Sequence, residues 1–339
     1  MAKKQKDFLS DVLDKYGDIN LREYSNGHPV VSTGSLAIDV STGIGGVPFG
    51  RYTEIWGPEQ SAKTSLCLSI SREALKQKYK VLFIDVENSL DFSYMQDILG
   101  EYYDPNLFLA LQPKSAENAL DLAEMGIDRN FDVIFFDSVG AISPQKELED
   151  EIEKQHIGLA PRLTNQFLRK TAYKIRDNET AFIFTNQVRA NIGSYVGGYS
   201  APAGLALRHY VSLIIYLGKG EWIKDAEGDK IGHNVKFTIQ KNKLAKPYRS
   251  AETCVMYGKG IDRMRDVIQF AGLLGVVKNR GAYYVFEDEN LGQGVQKSIE
   301  HLENHPELLD KISEMCYNLV GIKFPPAKKE REDGEAIKD

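Results

Sequence analysis

The chain has 339 residues, of which 42% are hydrophobic, enough for one large domain and a small one. Its net charge of -6 excludes a uniformly basic nucleic-acid binder, so any DNA contact must come from local basic patches. Cys67, Cys254 and Cys316 are far apart and form no C-x-x-C, which argues against a zinc ribbon or a disulfide framework and fits a reducing cytoplasm.

No apolar run approaches the roughly 18–20 residues of a membrane span, and the basic N-terminus is followed by no apolar stretch of signal-peptide length. Residues 7–17 place Phe8, Leu9, Val12, Leu13 and Tyr16 on one helical face. This predicts a helical arm within residues 1–30 that packs on its own domain or on a neighbouring subunit. Residues 32–50 read as a glycine-rich, turn-rich segment.

A short β-type run, Tyr52-Thr53-Glu54-Ile55-Trp56, precedes Gly57-Pro58-Glu59-Gln60-Ser61-Ala62-Lys63-Thr64, and a helical run opens at Ser65. Strand, loop, helix is the setting of a phosphate-binding loop. Inward backbone N–H groups and a helix N-terminus cradle polyphosphate there. Lys63 would reach the β/γ-phosphates, and the Thr64 hydroxyl would hold Mg²⁺. The usual glycine before the lysine is Ala62. A positive φ there costs on the order of 1 kcal/mol, whereas a first helical residue suits alanine. The expectation is negative φ, inside the helix.

Lys80–Glu87 and Asp132–Val139 read as strands buried on both faces of a parallel sheet, the first ending in the carboxylate Glu87 and the second carrying Asp137 after four apolar residues. Ligands gather at such carboxyl ends. Glu87 there could position or deprotonate an attacking water, and Asp137 could hold Mg²⁺ with Thr64. Arg162, Arg169 and Arg176 recur every seven residues, close to two helical turns, with Lys170 and Lys174 nearby. Such a row can track a phosphate backbone, and it can equally be a solvated face. Thr180–Gln187 is a further buried strand, and its terminal amide could sense a γ-phosphate. The following Val188–Gly204 has no hydrophobic period, and loops of this kind are usually functional. Strands are read at 210–217 and 234–240, and a basic turn at 241–248. Beyond residue 262 the reading is a helix to Leu274, a hairpin strand at 281–287, and two helices within 292–319 split near His305-Pro306. The stretch from Pro325 is polar and reads as disordered.

From Ser32 to Leu66, with its S-T-G-S-L, glycine turn, G-R and G-P-E before Lys-Thr, the chain resembles the RecA strand-exchange recombinase family, bacterial or phage-encoded. The likeness continues in order to about residue 320. It implies an α/β P-loop NTPase core with a mainly parallel sheet at 31–261, a helical N-terminal arm, a small α+β domain at 262–324 and a tail at 325–339. It implies ATP and Mg²⁺ as cofactors, with Gly57 to Ser65, Asp91, Tyr94 and Asp137 around them. Glu87 becomes the general base, and Tyr94 stacks on adenine. The resemblance puts a first DNA-binding loop near Ile157, with Arg162, Asn165 and Arg169 on the strand. A second loop carries Arg189, Ile192, Gly204 and Arg208. Gln187 becomes the nucleotide sensor, and Lys241 and Lys243 become cations that reach a neighbour's ATP. The implied partners are single- and double-stranded DNA, further copies in a helical filament, and single-strand-binding and mediator proteins, with no membrane. A hexameric helicase or branch-migration motor on the same core is one alternative. A hydrolysis-deficient, ATP-binding mediator is the other.

Overall fold

The computed structural model describes residues 27–150, 158–187, 189–190, 199–200, 204–324, 326 and 328–329. The predicted helix at 7–17 lies outside them, as do Ile157 and Ile192.

The elements in chain order are β1 (Val30–Val31), α1 (Leu36–Thr42), β2 (Val47–Pro48), β3 (Arg51–Gly57), α2 (Lys63–Lys76), β4 (Val81–Asp85), α3 (Phe92–Leu99), β5 (Phe108–Leu111), α4 (Ala116–Asp128) and β6 (Val133–Asp137). They continue with α5 (Gln145–Glu149), α6 (Leu159–Asp177), β7 (Ala181–Gln187), β8 (Arg189–Ala190), β9 (Tyr199–Ser200), α7 (Gly204–Tyr210), β10 (Leu213–Lys224), β11 (Lys230–Asn242), β12 (Ser250–Met256) and β13 (Gly260–Ile261). The last are α8 (Arg263–Leu273), β14 (Val277–Arg280), β15 (Tyr283–Phe286), β16 (Glu289–Gln293), α9 (Gly294–Asn304) and α10 (Pro306–Leu319).

Nine strands form one sheet in the order β13-β12-β11-β10-β3-β7-β6-β4-β5. From β10 to β5 all neighbours are parallel, and from β10 to β13 all are antiparallel. Successive side chains of a strand point to opposite faces. Val133 and Phe135 of β6 therefore enter one core while Ile134 and Phe136 enter the other. In β7, Ala181 and Ile183 divide in the same way from Phe182 and Phe184. Helices cover both faces, which is why these strands read as unbroken apolar runs. A separate three-stranded antiparallel sheet, β14-β15-β16, follows α8 and carries α9 and α10.

The 32–50 segment is more ordered than its composition suggests. Leu36–Thr42 is a helix whose N-cap, Ser35, accepts from Ile38 N, and Gly43 ends it at φ 72°. All seven of its residues are buried, so it has no polar face and no amphipathic period to read. The S-T-G-S motif acts here as a structural stitch. Thr33 N and Oγ1 and Ser32 Oγ all donate to the Asp39 carboxylate. Ser35 Oγ and Ala37 N donate to Asp266 on α8.

Burial pushes Asp39 up to about 7 and Asp266 up to about 6, against the hydrogen bonds that favour their ionised forms. An acid whose folded pKa lies above its free-chain value binds extra protons in the folded state. Its stabilising effect is complete below about pH 4 and is lost as pH rises through the folded pKa. At about 1.4 kcal/mol per pKa unit, Asp266→Asn should flatten the stability profile between pH 4 and 6 by up to a few kcal/mol. Urea midpoints at several pH values test this; an unchanged slope would rule it out.

The expected strands at 210–217 and 234–240 prove to be a longer hairpin, because residues 204–210 form α7 and β10 and β11 extend past the sheet core. Of the stretch from Pro325, residues 326, 328 and 329 are described. Lys329 Nζ donates to Asp132 Oδ1 at 2.7 Å and to the Asn178 carbonyl at 3.1 Å, and it lies over the Phe49 ring. An ion pair with a buried carboxylate offsets the ordering entropy that polar composition alone leaves unopposed.

Candidate functional site

The strand order β3-β7-β6-β4 lines up four carboxyl ends. Gly57 lies opposite Gln187, and Asp85 lies opposite Asp137. Each end supplies one part of the site.

The loop after β3 requires its first glycine. A Cβ on Gly57 would lie 2.2 Å from the Leu217 carbonyl and 2.7 Å from Ser61 Oγ. Glu59 and Gln60 are exposed, Pro58 half-buried, and Ser61 buried with its hydroxyl unpartnered. A buried, orphaned hydroxyl beside a helix N-terminus suits an oxyanion ligand. Lys63 folds back, its Nζ donating to the carbonyls of Gly57 at 3.1 Å and Pro58 at 2.8 Å. Burial pulls its ammonium pKa down, opposed by Asp137 and Glu87.

Ala62 corrects the sequence reading. It is the N-cap of α2, at φ 68° and ψ 25°, and Gln60 is also left-handed at φ 57°. The loop backbone must turn left-handed to aim its N–H groups, and this overrides alanine's helical preference. Its methyl group packs against the main core. Ala62→Gly should therefore stabilise the fold by about 1 kcal/mol or less, relief of φ strain being offset by glycine entropy. Chemical denaturation reads this directly. A loss above about 1 kcal/mol would show that methyl packing outweighs strain.

Thr64 Oγ1 donates to Asp137 Oδ2 at 2.9 Å, and Thr185 Oγ1 donates to Asp137 Oδ1 at 2.5 Å. Burial raises the Asp137 pKa, Thr185 and Thr64 oppose the rise, and Glu87 and Asp85 add to it. One hydroxyl and one carboxylate form an oxygen donor pair suited to a hard cation that keeps water and phosphate ligands. Among the described residues no group of three or more His, Cys, Asp or Glu is placed to hold a metal ion.

Glu87 Oε1 accepts from Ser138 Oγ at 2.5 Å and from Gln187 Nε2 at 2.8 Å. The strand expected to run to Glu87 ends at Asp85, so Glu87 lies two residues past it, in direct contact with Gln187 at the end of β7. Asp91 N-caps α3, accepting from Tyr94 N at 2.8 Å. The Tyr94 hydroxyl bonds Ser65 Oγ at 2.6 Å, tying this ring to the first turn of α2. Ser138 and Thr185 escaped the sequence reading. Their signal was position: Ser138 directly follows Asp137, and Thr185 shares a strand face with Gln187.

On α6, Thr164, Phe167, Leu168, Thr171 and Ile175 are buried, leaving Arg162 and Arg169 exposed and Asn165 half-buried. The basic row is shorter than predicted. Lys170 pairs with Glu124 at 2.7 Å; Lys174 pairs with Glu124 at 2.9 Å and Asp128 at 2.7 Å; Arg176 is half-buried. The acids of α4 neutralise those lysines and leave the two N-terminal arginines as its open cations.

Arg189 begins β8 and Gly204 begins α7. Arg208 is exposed, its guanidinium 5.6 Å from the Trp56 ring centre. Lys241 Nζ donates to the Arg208 carbonyl, and Lys243 Nζ donates to the His209 carbonyl at 2.9 Å. Both lysines thus sit on the last carbonyls of α7, where cations are favoured, and neither bonds the 57–64 loop of its own chain. Beneath them Glu54 is buried and accepts from Asn186 Nδ2 at 2.9 Å. Burial raises the Glu54 pKa, against Asn186, Arg208 and Lys241.

Comparison with known proteins matches residues 2–262 to the RecA N-terminal domain and residues 265–320 to the RecA C-terminal domain. Protein RecA of Aquifex aeolicus (strain VF5) is 40% identical over 294 residues, 86% of this chain and 84% of that protein. Protein RecA of Ruminococcus albus is 39% identical over 310 residues, 91% and 76% of the two chains. Protein RecA of Corynebacterium glutamicum (strain R) is 36% identical over 336 residues, 98% and 87% of the two. A glycine-led loop between β3 and α2, a carboxylate on each of two neighbouring strand ends and matches along nearly the whole length agree: the chain belongs to the RecA family.

Proposed function

We propose that this chain is an ATP-dependent recombinase that assembles on single-stranded DNA, pairs it with homologous duplex and exchanges strands. It is a DNA-dependent ATPase. The observation that carries the reading is the contact between Glu87 and Gln187, beside the Thr64–Asp137 pair. The group poised to take a proton and the group poised to sense phosphate share one hydrogen bond. Gln187 is also the last residue of the strand that leads into 188–203, the stretch resembling a DNA-binding loop. A change at the nucleotide can thus pass to the DNA segment through one strand end.

ATP with Mg²⁺ supplies the transferable phosphoryl group and neutralises its charge. Thr64 and Asp137 hold the metal. The backbone N–H groups of 57–64 and the Lys63 ammonium hold the phosphates, Tyr94 and Asp91 flank the nucleoside, and Glu87 orients and deprotonates the attacking water. Arg162, Asn165, Arg169, Arg189 and Arg208, with Ile157, Ile192 and Gly204, contact DNA. Residues 1–30 pack between subunits, 31–261 form the ATPase and DNA-binding core, and 262–324 form the small C-terminal domain. A helical filament, single-strand-binding and mediator partners, and a cytoplasmic setting belong to the same proposal. No helix among the described residues is long and apolar enough to cross a membrane.

The test is ATP turnover with and without single-stranded DNA. Strong stimulation by DNA is expected, and Lys63→Ala should abolish turnover in both conditions while the protein stays folded. No turnover in either condition would overturn the catalytic reading and leave a nucleotide-binding mediator.

A further inference from the structure

β3 ends in the 57–64 loop, yet one of its faces carries a charge that the loop does not use. Tyr52, Glu54 and Trp56 alternate with the main-core residue Ile55 and share the face turned to α7. There the Tyr52 ring lies 6.5 Å from the Tyr210 ring, and the Trp56 ring lies 5.6 Å from the Arg208 guanidinium. Glu54 is only 1% exposed, and Asn186 Nδ2 donates to its Oε1 at 2.9 Å. A glutamine at this position would accept that bond equally well and would avoid the cost of burying a carboxylate. The bond therefore explains the shape of the side chain and leaves its charge unexplained.

The cations above it supply the reason. Arg208, Lys241 and Lys243 gather at the C-terminal end of α7, the two lysines on its last carbonyls. Burial, Lys243 and Arg208 all work against the charge on Lys241, and Glu54 works for it. Like charges crowded at one helix end call for a counter-charge, and Glu54 provides it from beneath. Trp56 adds a mechanical link. Its Nε1 donates to Gln240 Oε1 at 3.0 Å, reaching past β10, and Gln240 directly precedes Lys241. Two side chains of β3 thus act on the end of β11, one through its field and one through a hydrogen bond.

We propose that Glu54 is a positioning residue for the nucleotide site of the neighbouring subunit, acting through Lys241, although it lies just before its own subunit's loop. Its carboxylate holds the corner made by Arg208 and Lys241 in the geometry from which Lys241 meets the neighbour's phosphates. Trp56 fixes the strand end that carries this lysine. The inference rests on the reading of Lys241 as a cation that serves a neighbour's ATP.

The test is subunit mixing with the full chain, read as DNA-stimulated ATP turnover. Glu54→Gln keeps the Asn186 bond and should lower turnover about 10- to 100-fold, the scale of a displaced reacting group, with nucleotide binding by the free subunit within a few-fold of the parent. In an equimolar mixture with Glu87→Gln, turnover should recover to roughly a quarter of the parent's, because about a quarter of random interfaces then join an intact Glu87 to an intact Glu54 and Lys241. Mixed with Lys241→Ala it should recover nothing, since both variants damage the same donating face. A merely structural loss would not sort the partners in this way. Rescue by Lys241→Ala and none by Glu87→Gln would assign Glu54 to its own loop and overturn the inference. Parental turnover in Glu54→Gln, or rescue in neither mixture, would overturn it as well. Trp56→Phe keeps an aromatic ring and loses the N–H that holds Gln240; it should show the same pattern of rescue with a smaller loss, and it carries the test if urea midpoints show Glu54→Gln to be unfolded. A mixture of Lys241→Ala with Glu87→Gln is the control. If the control fails to recover, the reading of Lys241 falls and this inference falls with it. If the control recovers and the mixture of Glu54→Gln with Glu87→Gln does not, this inference falls alone.

Discussion

Glu87→Gln should lower DNA-stimulated ATP hydrolysis by about 10²- to 10⁴-fold while leaving nucleotide binding within a few-fold of the parent. The substitution keeps a carbonyl oxygen where Glu87 Oε1 accepts from Ser138 and Gln187. Both neighbours can therefore stay in place. What disappears is the negative charge and the capacity to take a proton from water. Single-turnover hydrolysis, set beside fluorescent nucleotide binding, separates the two effects. Equal loss of binding and turnover would mean that Glu87 organises the loop and does no proton chemistry. Turnover unchanged by the substitution would remove Glu87 from the base role altogether.

The parts of this site that could be read in the sequence are those fixed by the chain's own order. Gly57–Thr64 follows a strand and opens a helix, and Glu87, Asp137 and Gln187 close buried apolar runs, so their convergence follows from a parallel sheet. What escaped depends on contacts between distant segments. The left-handed backbone of Ala62 is set by the geometry of the loop, and intrinsic propensity pointed the other way. Leu36–Thr42 is buried on every side and leaves no periodic trace. Lys170 and Lys174 looked available for phosphate because Glu124 and Asp128, about fifty residues earlier, are adjacent only after α4 packs beside α6. The same long-range dependence hides Lys329, whose partner Asp132 lies 197 residues away.

Lys241→Ala should reduce DNA-stimulated turnover by about 10³-fold or more, the scale of an arginine finger removed from phosphoryl transfer. Nucleotide binding by the free subunit should hardly change. Lys241 and Lys243 rest on the carbonyls of Arg208 and His209, whereas Lys63 is the lysine that bonds the 57–64 loop of the same chain, at the Gly57 and Pro58 carbonyls. If Lys241 completes a neighbour's site, two inactive variants should repair each other. Glu87→Gln subunits retain Lys241, and Lys241→Ala subunits retain Glu87. In an equimolar mixture about a quarter of the interfaces would pair an intact Glu87 with an intact Lys241, if subunits alternate at random. Turnover should then rise well above that of either variant alone, only in the presence of DNA, and fall on dilution below the assembly concentration. A mixture no more active than its components would place Lys241 in the service of its own subunit. The lysines would then be caps of α7, and hydrolysis would no longer require a second copy.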